Sequence, residues 1–228
     1  MIVCHAHKFI FIKTRKTAGT SVEIALSKFC GPDDIITRIT PSDEKIRAEL
    51  GYRGPQKYRF ALRNYQRQDW GYLLTRGRLP KLYNHLPAAE ARQRLGEQIW
   101  NSYFKFTIER NPWDRAISLY YWRTKGVEPR PSLAEFLRDS PSEQMSNFDV
   151  YAVDGVVAMN HVVRFERLSF DLAGVAERLR LPGAIELPNA KGGVRNDKRP
   201  YQELYGKAER QAIAQACSRE IATFGYEF

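Results

Sequence analysis

Hydrophobic residues in this chain alternate between short runs of strand character and longer stretches with helical spacing. Residues Lys8 to Ile12 (KFIFI) form an aromatic and β-branched run, followed at once by small and polar residues from Thr14 to Thr20. The order predicted is strand, loop, helix. Thr20 or Ser21 is placed to cap a helix whose Val22, Ala25, Leu26 and Phe29 share a face until Gly31-Pro32 stops it. A second unit of the same kind begins at Tyr103. Tyr103 to Glu109 alternates like a strand, Asn111 can cap, Pro112 suits the first helical position, and Asp114 stands three residues past the cap. Trp113, Ala116, Ile117, Tyr120 and Tyr121 then have helical spacing.

Weaker signals complete the pattern. Leu82 to Asn84 reads as a short strand ending at His85, with a helix from Ala88 to Leu95. Val156-Val157 and His161 to Phe165 read as strands, Asp171 to Leu179 as a helix, and Lys207 to Phe224 as a last helix with Ile213, Cys217, Ile221 and Phe224 on one stripe. Strands alternating with helices predict a single α/β domain over residues 1–228: a central, mainly parallel sheet flanked by helices, in the manner of P-loop nucleotide kinases. Ligands of such sheets bind at the carboxyl ends of the strands.

Composition narrows the partners. The 228 residues, 43% of them hydrophobic, can bury one substantial core. A net charge of +10, from 36 basic and 26 acidic residues, calls for an anionic ligand without naming it. No apolar run approaches the roughly 18 residues of a membrane span, and Lys8 and Lys13 interrupt the apolar N-terminus where a secretory signal would be continuous. Three cysteines (Cys4, Cys30, Cys217) make neither a CxxC pair nor a disulfide framework. A soluble protein in a reducing, cytoplasmic compartment is expected. Cys4, His5 and His7 lack a second cluster at metal-ligand spacing, so no metal is assigned.

Two segments carry chemistry. In the first, Arg15, Lys16, Thr17, Ala18, Gly19, Thr20 and Ser21 lie where a strand hands over to a helix, so free N–H groups and the positive end of the helix dipole face the loop. Lys16 adds a mobile charge, and Thr20 and Ser21 add hydroxyls. A triphosphatase loop needs its lysine after the second glycine, whereas Lys16 precedes Gly19, the loop's only glycine. Alone, the segment reads equally as a solvated basic turn. The second segment places Arg110 at a strand end and Ser118 seven residues past Asn111, two helical turns along nearly one stripe. A guanidinium fork and a hydroxyl there suit a phosphate, although a capped helix with a surface arginine reads the same way.

Together the segments resemble the sulfotransferases that use 3′-phosphoadenosine 5′-phosphosulfate (PAPS), in particular carbohydrate sulfotransferases and their soluble bacterial relatives. Lys16-Thr17-Ala18-Gly19-Thr20-Ser21 looks like the family's K-T-x-x-T-S loop for the 5′-phosphosulfate, and Arg110 to Tyr120 like its R-N-P-x-x-R-x-x-S-x-Y segment, with Arg110 and Ser118 on the 3′-phosphate. The resemblance extends through Arg164-Phe165-Glu166 and through the basic, tyrosine-bearing segment Asn189 to Tyr205, which adds Arg164, Lys198 and Arg199 as nucleotide contacts. It implies sulfuryl transfer to a hydroxyl of a glycan or glycolipid, with adenosine 3′,5′-bisphosphate left over and no nucleic acid as partner. Arg15 departs from the neutral residue expected at its position.

The reaction implied is an in-line transfer in which positioning and charge stabilisation dominate. Lys16 would neutralise developing charge, and His85, matching an acceptor-side histidine of many relatives, would take the hydroxyl proton. A lone histidine is equally at home as a structural residue. Glu23 and Asp114 are less suited as bases, because each sits in a first helical turn where the dipole explains a carboxylate. Arg164 and Glu166 serve equally well as a structural ion pair.

Residues 31–81 read as a variable basic and aromatic insertion for acceptor recognition. From Arg53 to Lys81 eight cations (Arg53, Lys57, Arg59, Arg63, Arg67, Arg76, Arg78, Lys81) oppose Asp69 alone and interleave with Tyr58, Phe60, Tyr65, Trp70 and Tyr72. That pattern suits a sugar, a single-stranded nucleic acid, or only a solvated face. The rival functions are a nucleotide-dependent phosphotransferase, which would need Mg²⁺-binding carboxylates, and a basic nucleic-acid module, which leaves Arg110 and Ser118 unexplained.

Overall fold

Ile10 and Ile12 point to one side of their strand and Phe9 and Phe11 to the other, and all four are fully buried. A strand apolar on both faces needs cover on both, and the chain supplies it in three layers. The computed structural model describes residues 1–141, 144–188 and 197–228.

Along the chain the elements are β1 (Ile2–Cys4), β2 (Phe9–Phe11), α1 (Gly19–Ser27), β3 (Ile35–Ile36), α2 (Pro41–Glu49), α3 (Arg67–Arg76), α4 (Ala88–Leu95), α5 (Glu97–Ser102), β4 (Phe104–Glu109), α6 (Pro112–Arg123), α7 (Leu133–Asp139) and α8 (Phe148–Tyr151). After these come β5 (Ala152–Val153), β6 (Val156–Val157), β7 (His161–Arg164), α9 (Leu168–Arg178), α10 (Lys207–Ala216) and α11 (Ser218–Phe224). Five strands form one sheet in the order β3-β1-β2-β4-β7, and β5 and β6 make a separate hairpin.

The sheet is mixed rather than mainly parallel. β2, β4 and β7 run parallel, with Phe11 opposite Phe106 and Glu109 opposite Arg164, whereas β1 is antiparallel to both β2 and β3. The cause is the four-residue link from Cys4 to Phe9: a parallel pair needs a crossover of a dozen residues or so, and a short turn permits only an antiparallel one. One face of the sheet packs Phe9, Phe11, Phe106, Ile108 and Val163 against Val22, Leu26, Leu172 and Val175 of α1 and α9. The other packs Ile10 and Ile12 against Leu86, Ala88, Ala91 and Leu95 at and within α4. Burying each large apolar side chain contributes about 1.5–3 kcal/mol.

Several local expectations change. Leu82 to Asn84 is irregular rather than a strand, and the turn at its end holds His85 at φ 60°. The last helix is two, because Cys217 leaves helical geometry at φ −114°, ψ 26°, where its thiol donates to the Met145 carbonyl at 3.1 Å. Residues 53–57 run along the sheet's edge: Gln56 bridges to Ile36, and Arg53 donates to the Cys30 carbonyl at 3.0 Å. Among the described residues, no helix is long and apolar enough to cross a membrane.

Candidate functional site

The three parallel strands end side by side, and each delivers part of one cavity of about 600 Å³. β2 runs into residues 13–21, β4 into Arg110, and β7 into Phe165; α6 adds Ser118, Leu119, Trp122 and Arg123, and His85, Leu187 and Pro188 complete the lining.

The loop after β2 turns its backbone toward the cavity. Lys16 and Ala18 both adopt left-handed backbone (φ 59°), and Ala18 occupies the N-cap position of α1 with no side-chain cap. Neither Thr20 nor Ser21 caps the helix, as the sequence had suggested. Both line the cavity, and the first N–H groups of α1, which lack intrahelical partners, open onto it. Gly19 is required by packing: a Cβ there would sit 2.8 Å from Lys13 Cγ.

The loop is pinned from several directions. Thr14 Oγ1 donates to the Ile108 carbonyl at 2.5 Å and lies 2.8 Å from Thr17 Oγ1. Lys13 also borders the cavity, but it is buried and paired with Glu23 at 3.0 Å. Glu23 is therefore no dipole ornament. It is fully buried among the Met1 ammonium (3.1 Å), Lys13 and Arg47 (3.8 Å). Burial alone would raise its pKa, but the three cations outweigh it and hold the carboxyl below its ordinary value.

Arg110 reaches the same space from the start of α6. Asn111 caps that helix by accepting from Trp113 N–H at 3.1 Å, and Asn111 N–H donates to Glu166 at 2.6 Å. The guanidinium of Arg110 pairs with Asp114 (2.7 Å), donates to the Lys16 carbonyl (3.3 Å) and lies 4.1 Å from the Phe165 ring centroid. Asp114 thus orients Arg110 instead of completing a capping box. Arg110 ties the two anion loops directly to each other.

His85 lines the same cavity, with Nδ1 3.0 Å from the Lys13 carbonyl oxygen. A carbonyl can only accept, so Nδ1 carries the proton and Nε2 keeps its lone pair. Burial, then the Lys13 charge, lower the imidazole pKa to about 4, and the ring is neutral at pH 7.

Ten predicted residues thus share one cavity: Arg15 through Ser21, His85, Arg110 and Ser118. Three do not. Arg164 stacks on Phe224 and Tyr226 and donates to the Phe224 carbonyl, holding the C-terminal segment. Lys198 and Arg199 are exposed, and Arg199 pairs with Asp197. Residues 189–196 of the basic segment Asn189 to Tyr205 lie outside the described residues. Cys4 meets neither His5 nor His7 at a common centre; it sits with Cys30 and Asp34, whose carboxylate accepts from Gly31 N–H and His5 N–H at 2.6 Å each.

Trp122, Phe165, Leu187 and Pro188 were not anticipated. Trp122 was within reach, one helical turn past Ser118, and its ring lies 5.3 Å from Lys16 Nζ. A model of the sulfotransferase family matches residues 1–227, nearly the whole chain. The chain belongs to that family. It is a transferase of the sulfuryl-transfer class, and its cavity unites the two loops that carried the resemblance. An uncharacterized protein of Archaeoglobus fulgidus is 27% identical over 106 residues, covering 45% of this sulfotransferase-family chain and 88% of its own. No solved structure matches the chain.

Proposed function

We propose that the protein moves a sulfuryl group from PAPS to a hydroxyl of a carbohydrate. The observation that carries this reading is the pairing of two anion-ready helix starts, α1 and α6, in one cavity with an unprotonated imidazole nitrogen. The residues fit such a donor. Lys16, Thr20, Ser21 and the open N–H groups of α1 would take its phosphosulfate end, Arg110 and Ser118 its 3′-phosphate, and Phe165, Leu187 and Pro188 form an apolar flank for a base. When bound, PAPS supplies an activated sulfuryl group whose transfer leaves negative charge on a phosphate.

Lys16 and the α1 N–H groups face that charge and stabilise it without reorganising. His85 Nε2 accepts the proton of the acceptor hydroxyl, while Nδ1–H stays on the Lys13 carbonyl and keeps the ring oriented. Arg15 and Arg123 line the same cavity and add positive charge to the site.

Isothermal titration with adenosine 3′,5′-bisphosphate, ATP and an oligonucleotide tests the donor, and radiolabelled transfer from PAPS to a panel of sugars tests the acceptor. Tight binding of the bisphosphate with weak binding of ATP is expected. Preference for ATP would assign the site to phosphoryl transfer instead. Lys16→Ala should lower turnover far more than bisphosphate affinity, because the lysine matters most as charge shifts.

A further inference from the structure

Residues 59–81 contribute nothing to the cavity lining, yet they present an unusual surface. Leu62 is 56% exposed, Trp70 45% and Leu74 84%. Trp70 and Leu74 are four residues apart on α3 and therefore share a face. Arg59, Arg63, Arg67, Arg76 and Arg78 lie in the same stretch of chain, all exposed, and none pairs with a carboxylate among the described residues. The stretch has one acid, Asp69, which is buried, accepts from Gln66 N–H at 3.0 Å and lies 3.7 Å from Arg94. Its charge is used within the fold, and the face it leaves is cationic and apolar at once. Ring contacts from Phe60 to Tyr65 (5.0 Å) and from Tyr65 to Trp70 (5.3 Å) tie α3 to the core, since Phe60 is itself buried.

We infer that this face docks on the surface of a membrane containing anionic lipid. A helix with arginines around an exposed Trp and Leu is the pattern of a segment lying in the bilayer interface, where cations meet headgroups and apolar side chains enter the acyl boundary. The leucines decide against a polymeric partner. A nucleic acid or acidic polysaccharide would engage the arginines and stack on Trp70, but it gains little from Leu62 and Leu74, which have no ring face to offer. An acyl phase is the partner that uses both kinds of side chain.

The test is sedimentation of the full chain with vesicles of phosphatidylcholine alone or with about 30% phosphatidylglycerol, in about 0.1 M salt. Binding about tenfold stronger on the anionic vesicles is expected, and Leu62→Ser with Leu74→Ser should weaken it about tenfold at unchanged net charge. Arg67→Gln, Arg76→Gln and Arg78→Gln together should abolish the preference for anionic lipid. Both leucines are mostly exposed, so these variants should keep the wild-type melting temperature, and circular dichroism verifies that. No vesicle binding, or binding that ignores the two leucines, overturns the assignment. So does an oligonucleotide or acidic polysaccharide that binds through the same arginines while vesicles do not.

Discussion

Asn147 holds Arg15 by both sides of its backbone: its amide nitrogen donates to the Arg15 carbonyl at 3.0 Å and its amide oxygen accepts from Arg15 N–H at 3.1 Å. The two residues are 132 positions apart. Asn147 is itself fixed, because its N–H donates at 2.8 Å to Glu220, a buried carboxylate of α11 that also accepts from Ser146 Oγ and lies 3.7 Å from Arg115. The C-terminal helix thereby sets the loop that lines the cavity.

Asn147→Ala should accordingly act at a distance. It removes the partner of two part-buried backbone groups of the loop, so the cost should stay near the low end of about 1–3 kcal/mol each. Bisphosphate affinity should fall about tenfold through a loosened loop. Asn147→Asp should bind still more weakly, since it turns a donor into a carboxylate facing a carbonyl. Paired melting curves and titrations measure both effects; unchanged affinity in both variants would remove Asn147 from the site's support.

Glu23 tests stability apart from binding, since it does not line the cavity. Glu23→Gln removes the buried carboxylate shared by the Met1 ammonium, Lys13 and Arg47 and should cost about 3–5 kcal/mol in urea denaturation. Its folded pKa lies below the ordinary carboxyl value, so the wild-type stabilisation is present above that value and is lost as pH falls below it. The Gln variant should show a shallower acid dependence.

Arg110→Ala should shrink the preference for 3′-phosphorylated over unphosphorylated nucleotide by roughly ten- to a hundredfold, the scale of a charge-assisted bond. The substitution also removes the cation beside Asp114, so Arg110→Ala with Asp114→Asn isolates the lost contact from the added repulsion. A double variant that keeps the wild-type preference would place the 3′-phosphate elsewhere.

His85 should titrate at about pH 4 in the free protein and upward of that with bisphosphate bound, because a nearby anion favours the imidazolium. A general base acts in its neutral form, so under the proposed role kcat/KM should be flat above about pH 5 and fall as pH drops through the free-protein value. His85→Ala should lower turnover about 10²- to 10⁴-fold with bisphosphate affinity nearly unchanged. Proton NMR of the ring and the pH profile check these together; a variant retaining its rate would move the base off His85.

Local pattern was enough for much of this protein. The run Lys8 to Ile12, the cap Asn111 with Pro112, and the two anion segments were legible because each depends on neighbours within a turn or two of chain. Strand ends that deliver small and basic residues imply ligand loops, and the loops at Lys16 and Arg110 do meet. What local pattern could not settle was anything decided by partners far along the chain. The strand β1 was not read from the sequence, and with it the antiparallel half of the sheet was missed. Arg164 and Arg199 carried the same charge as Arg110, but Arg164 holds the C-terminal segment and Arg199 is exposed beside Asp197, whereas the parallel ends of β2 and β4 place Arg110 against the loop. His85 was legible as a histidine; its tautomer and lowered pKa come from burial and the Lys13 carbonyl, 72 residues away. Asn147 gave no sequence signal at all, because a side chain that hydrogen-bonds a distant backbone leaves no periodicity behind.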